Sequence, residues 1–183
     1  CEKGQQPQQA VQLLLDIRLK GLLPDVISYS AAISACEKGQ QPQQALQLLR
    51  ELRLTGLLLD VITFSAAISA CEKGQHPQQA LQLLRELRFT GFVPEVITFS
   101  AAISVCEKGQ QPHQPLQLLQ ELRLTGLLPG VITFSAAISA CEVVPQWACA
   151  LKLLGAMQAA GVDLDIITYS AAISACEKGQ QWQ

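Results

Sequence analysis

A cysteine returns at a fixed interval along this chain: Cys1, Cys36, Cys71, Cys106, Cys141 and Cys176 are spaced 35 residues apart. The letters around it return too, as SAAISACEKGQ from Ser30 and close variants from Ser65, Ser100, Ser135 and Ser170. Residues 26–60 and 61–95 differ at only 8 of 35 positions, so neighbouring units must adopt nearly the same structure. No other feature restricts the fold so tightly. A unit of this size, copied in tandem, buries its apolar surface against its neighbours, which is the signature of a solenoid.

One unit, residues 26–60, shows what is stacked. Its first segment, roughly Ser28 to Lys38, is rich in Ala, with Ile33 and Cys36 spaced for one helical face. Ser28, with Thr63, Thr98, Thr133 and Thr168 in the other copies, is the expected N-cap, and Gly39 the expected left-handed stop. Ala31, Ala32 and Ala35 allow close packing on more than one side. A second helix opens at Pro42, where a missing N–H costs nothing. Ala45, Leu48, Leu49 and Leu52 form its apolar stripe, Gln47, Arg50, Glu51 and Arg53 suit the wet side, and Gly56 ends it. Neither helix can bury its apolar face alone. The unit at residues 131–165 departs from the rest, with Pro145 in its turn, Trp147 in place of a proline and Gly155 inside its second helix. Its register survives through Ala150, Leu153, Leu154 and Met157, and Gly155 should cost roughly 1 kcal/mol relative to Ala.

Composition narrows the function. Hydrophobic residues make up 49% of the 183 but aromatics only 5%, so Ala and Leu carry the packing and favour helices over a β-sandwich. Thirteen Lys plus Arg stand against 15 Asp plus Glu, a net charge of −2, which gives no bulk electrostatic case for nucleic acid. Equivalent cysteines on stacked helices roughly 8–10 Å apart cannot form disulfides, which need Cα atoms within about 7 Å. Buried reduced thiols and a reducing compartment are expected. There is no CxxC pair, and His76 and His113 both fall in turns, so neither zinc nor a nucleophile with its base is indicated. No cofactor, no small-molecule substrate and no catalysis are expected. The chain opens and closes inside a unit, and reads as a window on a longer array.

The 35-residue hairpin with VITFS opening the unit, EKG in the turn, AL in the second helix and GLLPD at the end resembles the pentatricopeptide repeat. The resemblance covers the whole chain as a single array over 1–183: a partial repeat at 1–25, full repeats at 26–60, 61–95, 96–130 and 131–165, and a partial one at 166–183. It implies an all-α, right-handed α-solenoid of antiparallel hairpins, first helices lining the inner groove. It further implies binding of single-stranded RNA, one base per repeat, in a chloroplast or mitochondrion.

By that resemblance the base-specifying fifth positions are Ser30, Ser65, Ser100, Ser135 and Ser170. The last positions are Asp25, Asp60, Glu95, Gly130 and Asp165. Serine with aspartate resembles the family's guanine-preferring pair, whereas Glu95 is longer than usual and Gly130 offers no side chain. Base-sandwiching second positions are Ile27, Ile62, Ile97, Ile132 and Ile167. Phosphate-contacting lysines are Lys38, Lys73, Lys108 and Lys178, with Val143 in that place in the unit at 131–165.

Each assignment has a plainer alternative. The serines can be small polar residues tolerated on an Ala-rich helix, the isoleucines core residues, and the aspartates turn or N-cap residues. The lysines, next to Glu37, Glu72, Glu107 and Glu177, can belong to solvated pairs. Two functions follow: an organellar RNA-binding array acting in transcript processing, stability or translation, or a scaffold joining protein subunits of an organellar ribosomal, respiratory or photosynthetic assembly. What occupies the groove lined by Ser65, Ser100 and Ser135 discriminates between them.

Overall fold

The computed structural model describes residues 6–108, 114–143 and 147–179. Cys1, His113, Pro145 and the side chains of Lys108 and Val143 lie outside the described residues. Among those described there are helices and turns and no strand. The chain forms two compact units, Cys1–Pro94 and Glu95–Gln183. The first holds α1 (Pro7–Leu19), α2 (Val26–Lys38), α3 (Pro42–Leu54), α4 (Val61–Gly74) and α5 (Pro77–Phe89). The second holds α6 (Val96–Lys108), α7 (Gln114–Leu124), α8 (Val131–Val143), α9 (Trp147–Ala159) and α10 (Ile166–Gly179).

Both units use one packing rule. First helices stack on one another, α2 on α4 in the first unit and α6 on α8 on α10 in the second. Within a unit a second helix packs on its own first helix and on the next one, as α3 does on α2 and α4, α7 on α6 and α8, and α9 on α8 and α10. The expected stripe is the surface that does this: Ala45, Leu48, Leu49 and Leu52 are all buried, as are Ala80, Leu83, Leu84 and Leu87. On the first helices the fully buried large side chains are Tyr29, Phe64, Phe99, Phe134 and the isoleucines Ile33, Ile68, Ile103 and Ile138. The arrangement is an all-α helical-repeat solenoid.

Two local expectations are corrected. The N-cap is Asp25, not Ser28, and Asp60, not Thr63: each cap lies three residues earlier, and its carboxylate accepts the N–H three residues on. Nor is Gly39 left-handed, since its φ is −81°. The left-handed residues after the first helices are Gln40 and Gln75, both at φ 56°. The glycine is there for space. A Cβ at Gly39 would lie 2.4 Å from Cγ of Pro7, and one at Gly74 2.9 Å from Cβ of Pro42, so each glycine admits the proline that opens the preceding second helix. At Gly179 the intruding ring is that of Trp147, which stands in the proline's place. Gly56 does adopt the expected left-handed stop, at φ 75°.

The repeated cysteines are buried free thiols at Cys36, Cys71, Cys106 and Cys141, while Cys149 and Cys176 are half-buried. Burial pushes the Cys36 thiol up to about 11 and those of Cys71 and Cys106 up to about 12.

Candidate nucleic-acid interface

The second positions of the units sit one residue into each first helix, where the chain has just left the turn. Ile27, Ile62, Ile97, Ile132 and Ile167 are 74%, 66%, 68%, 76% and 65% exposed. Their next-turn neighbours Ser30, Ser65, Ser100 and Ser135 are half-buried or buried, and Ser170 is exposed. The isoleucines are therefore not core residues. A large apolar side chain held in water at the same place in five consecutive copies offers flat apolar area that folding does not use.

The fifth and last positions meet. In the first unit Ser30 Oγ lies 2.7 Å from Thr63 Oγ1 and 3.3 Å from Asp60 Oδ1. Thr63 in turn donates both its hydroxyl, at 2.5 Å, and its backbone N–H, at 2.8 Å, to Asp60 Oδ1. The second unit repeats the triad: Ser135 Oγ stands 2.7 Å from Thr168 Oγ1, whose hydroxyl donates to Asp165 at 2.5 Å. Those hydrogen bonds from Thr168 hold the Asp165 carboxyl below the usual carboxylate range. The Ser28 hydroxyl and N–H do the same to Asp25. Where Gly130 replaces the acid, Ser100 Oγ still meets Thr133 Oγ1 at 2.6 Å and also donates to the Val96 carbonyl at 2.8 Å. Ser65 belongs to the first unit and Glu95 to the second; Glu95 is exposed.

Two of the lysines pair with a glutamate one repeat back along the chain. Lys73 Nζ lies 2.6 Å from Glu37 Oε1 and donates to the Glu37 carbonyl at 2.9 Å, reaching back one whole repeat. Lys178 reaches Glu142 in the same way, at 2.7 Å. On the second helices Arg18 pairs with Glu51 at 2.9 Å and Arg53 with Glu86, again one repeat apart. These inter-repeat pairs, and the hydroxyl contacts of the third-position threonines, are neighbours that sequence reading missed. Their signal was an offset near one repeat, 33 or 36 residues, which places the partners side by side only once the stacking is known.

Fold and surface together define a class: a helical-repeat array that presents one set of side chains once per unit. Two family models match, one described as a pentatricopeptide repeat domain over residues 47–109 and one as a PPR repeat over 27–57. The chain belongs to the pentatricopeptide-repeat family. Solved structures agree on the fold. The protein PPR10 in complex with an 18-nucleotide psaJ RNA element is 24% identical with a TM-score of 0.74, over 95% of this chain and 26% of that one. PPR10 from maize alone is likewise 24% identical, with a TM-score of 0.61, over 93% of this chain and 24% of that one. The PPR domain of Arabidopsis thaliana protein-only RNase P 1 with tRNA has a TM-score of 0.84 at 11% identity, over 97% and 93% of the two chains. This chain thus spans about a quarter of the length of PPR10. No curated protein matched by sequence.

Proposed function

We propose that this chain is a non-catalytic, organellar RNA-binding array that takes up single-stranded RNA at one base per repeat. The repeats at 26–60, 61–95, 96–130 and 131–165 are read as one array with the partial units at either end, because the 35-residue period runs unbroken from Cys1 to Cys176. The observation that carries the reading is the set of five exposed isoleucines. A base face packed on such a side chain takes apolar area out of water, and these shelves lie next to the side chains that would meet a base edge. Structures of PPR10 with RNA and of the RNase P repeat domain with tRNA support the same reading by likeness of fold. Asp60 with Ser30 and Asp165 with Ser135 are the pairs expected to prefer guanine. Glu95 and Gly130 leave the units between them with little preference.

The lysines make the test sharp. Four phosphate contacts from Lys38, Lys73, Lys108 and Lys178 would give a log-affinity against log-salt slope of about −3, at roughly 0.7 per phosphate on a single strand. Lys73 and Lys178 each carry a carboxylate already, and a displaced Glu37 or Glu142 takes up a cation as the RNA releases one. The slope of the native chain should therefore be shallower than −3. Glu37→Gln with Glu142→Gln should tighten binding and steepen the slope by up to about 0.7 for each site. Titration of short G-rich and U-rich oligonucleotides at two salt concentrations measures both. No binding at low salt by the doubly substituted chain would overturn the RNA reading and favour the protein scaffold.

A further inference from the structure

The triads decide more than contact, because hydrogen bonds have a direction. An ionised carboxylate only accepts, and a hydroxyl has a single proton to give. Thr63 commits that proton to Asp60, so in the Ser30–Thr63 bond the serine must be the donor. Ser30 then spends its proton inside the triad, and its lone pairs are what it can offer outward. Ser135 is in the same position through Thr168 and Asp165. With Gly130 the order reverses. Ser100 gives its proton to the Val96 carbonyl, so Thr133 must donate to Ser100.

We infer that Thr63 and Thr168 are positioning residues that set the hydrogen-bond polarity of the reading pairs, turning Ser30 and Ser135 into acceptors whenever an aspartate closes the repeat. Two acceptors side by side, serine oxygen and carboxylate, match a base edge with two adjacent donors. Guanine, with its N1–H and N2 amine, has that edge; adenine and uracil do not. A threonine that touches no base thus helps select the base, by taking at 2.7 Å, ahead of the more distant Asp60 oxygen at 3.3 Å, the proton that Ser30 would otherwise donate. This inference rests on the RNA reading above, and it adds a residue to it that neither the fifth nor the last position contains.

The test uses U-rich oligonucleotides carrying two guanosines three nucleotides apart, the spacing of the repeats at 26–60 and 131–165, with adenosine or inosine replacing both in parallel strands. The full chain should favour guanosine over adenosine by about fivefold or more per reading repeat. Inosine, which lacks the amine, should fall between. The Thr63→Val, Thr168→Val chain should distinguish guanosine from adenosine by less than about twofold. Thr63→Ser with Thr168→Ser, which restores the hydroxyls, should recover the preference. Thr133→Val should leave it intact, because Ser100 does not give its proton to that threonine. A valine chain that keeps the guanosine preference overturns the inference. A second readout needs no RNA: the Asp165 carboxyl, followed by NMR titration, should rise on Thr168→Val as it loses its hydroxyl donor, and an unmoved titration also overturns the inference. A shifted carboxyl in a chain that binds no oligonucleotide locates the failure in the RNA reading, and removes the selecting role with it.

Discussion

Two glycines to alanine should change stability in opposite directions, and the reason is visible at each site. Gly155 lies within α9 with nothing within 4 Å of where a Cβ would stand. Alanine there gains helix propensity alone and should stabilise by about 0.8–1 kcal/mol. Gly39 has an ordinary backbone, φ −81°, so alanine fits its conformation and on chain entropy alone would stabilise by about 0.4–1 kcal/mol. Its Cβ, however, would lie 2.4 Å from Pro7 Cγ, 2.8 Å from Pro7 Cδ and 3.1 Å from the Ala35 carbonyl oxygen. Carbon atoms rest about 3.5–4.0 Å apart, so a rigid pyrrolidine must retreat by about 1 Å or the repeats must separate. Overpacking of this kind costs about 1–3 kcal/mol. The midrange balance for Gly39→Ala is a loss of about 1 kcal/mol, against a gain of similar size at Gly155. Urea unfolding followed by far-ultraviolet circular dichroism reads both as midpoint shifts at constant m. Pro7→Ala in the Gly39→Ala background should return part of the loss, because the two substitutions share one contact. Equal stabilisation by Gly39→Ala and Gly155→Ala would refute the close-approach account of the glycine.

Leu84→Ala should destabilise by about 2–5 kcal/mol, since Leu84 is only 1% exposed between α5 and α4, and unfolding left unaltered would mean that the stripe faces the wrong way. Leu54→Ala, at 88% exposure, should fall within about 0.5 kcal/mol of the parent in the same assay. Iodoacetamide at pH 8 should modify Cys149 and Cys176 ahead of Cys36, Cys71, Cys106 and Cys141, with peptide mapping as the readout and early labelling of the buried four as the contrary result. The same thiols fix a pH profile: their folded values lie above the ordinary 9.0, so their contribution is fully present below pH 9 and is lost as pH rises through about 11 to 12. A urea midpoint rising over that range would contradict the burial.

Much of this architecture was legible because it is local. Proline at the first turn of the second helix, glycine at its left-handed end and the leucine stripe between them are decided within one unit of chain, and the structure holds all three at Pro42, Gly56 and Leu49. Misreadings came where two residues compete for one local role. Asp25 and Ser28 are both good N-caps, and the two positions differ by three residues of helix. Gly39 has the letters of a helix stop but answers to a proline 32 residues earlier, a contact that exists only after stacking. The partner of Lys73 was hidden for the same reason: it meets Glu37 across the repeat interface, 36 residues earlier. Of the candidate site, the exposed isoleucines resolve an open alternative, since a core role is incompatible with exposures of 65% and above.

The last position of each unit is where the copies disagree most usefully, as Asp60, Glu95, Gly130 and Asp165, while the fifth is serine throughout. Replacing an N-cap aspartate by glycine costs only a few tenths of a kcal/mol, and α8 keeps its start: it begins at Val131, and the Phe134 N–H donates to the Gly130 carbonyl. What holds the helix is tertiary, with Phe134, Ile138 and Cys141 fully buried against α6, α9 and α10. Burying one such side chain contributes about 1.5–3 kcal/mol, more than the cap. The fold can therefore surrender the acid without rebuilding the repeat, even though that acid organises the serine and threonine around it. A position that governs local hydrogen-bond polarity and yet carries little of the stability is one that a repeat protein can vary freely from unit to unit. In this chain it does vary, from Asp60 to Glu95 to Gly130 and back to Asp165.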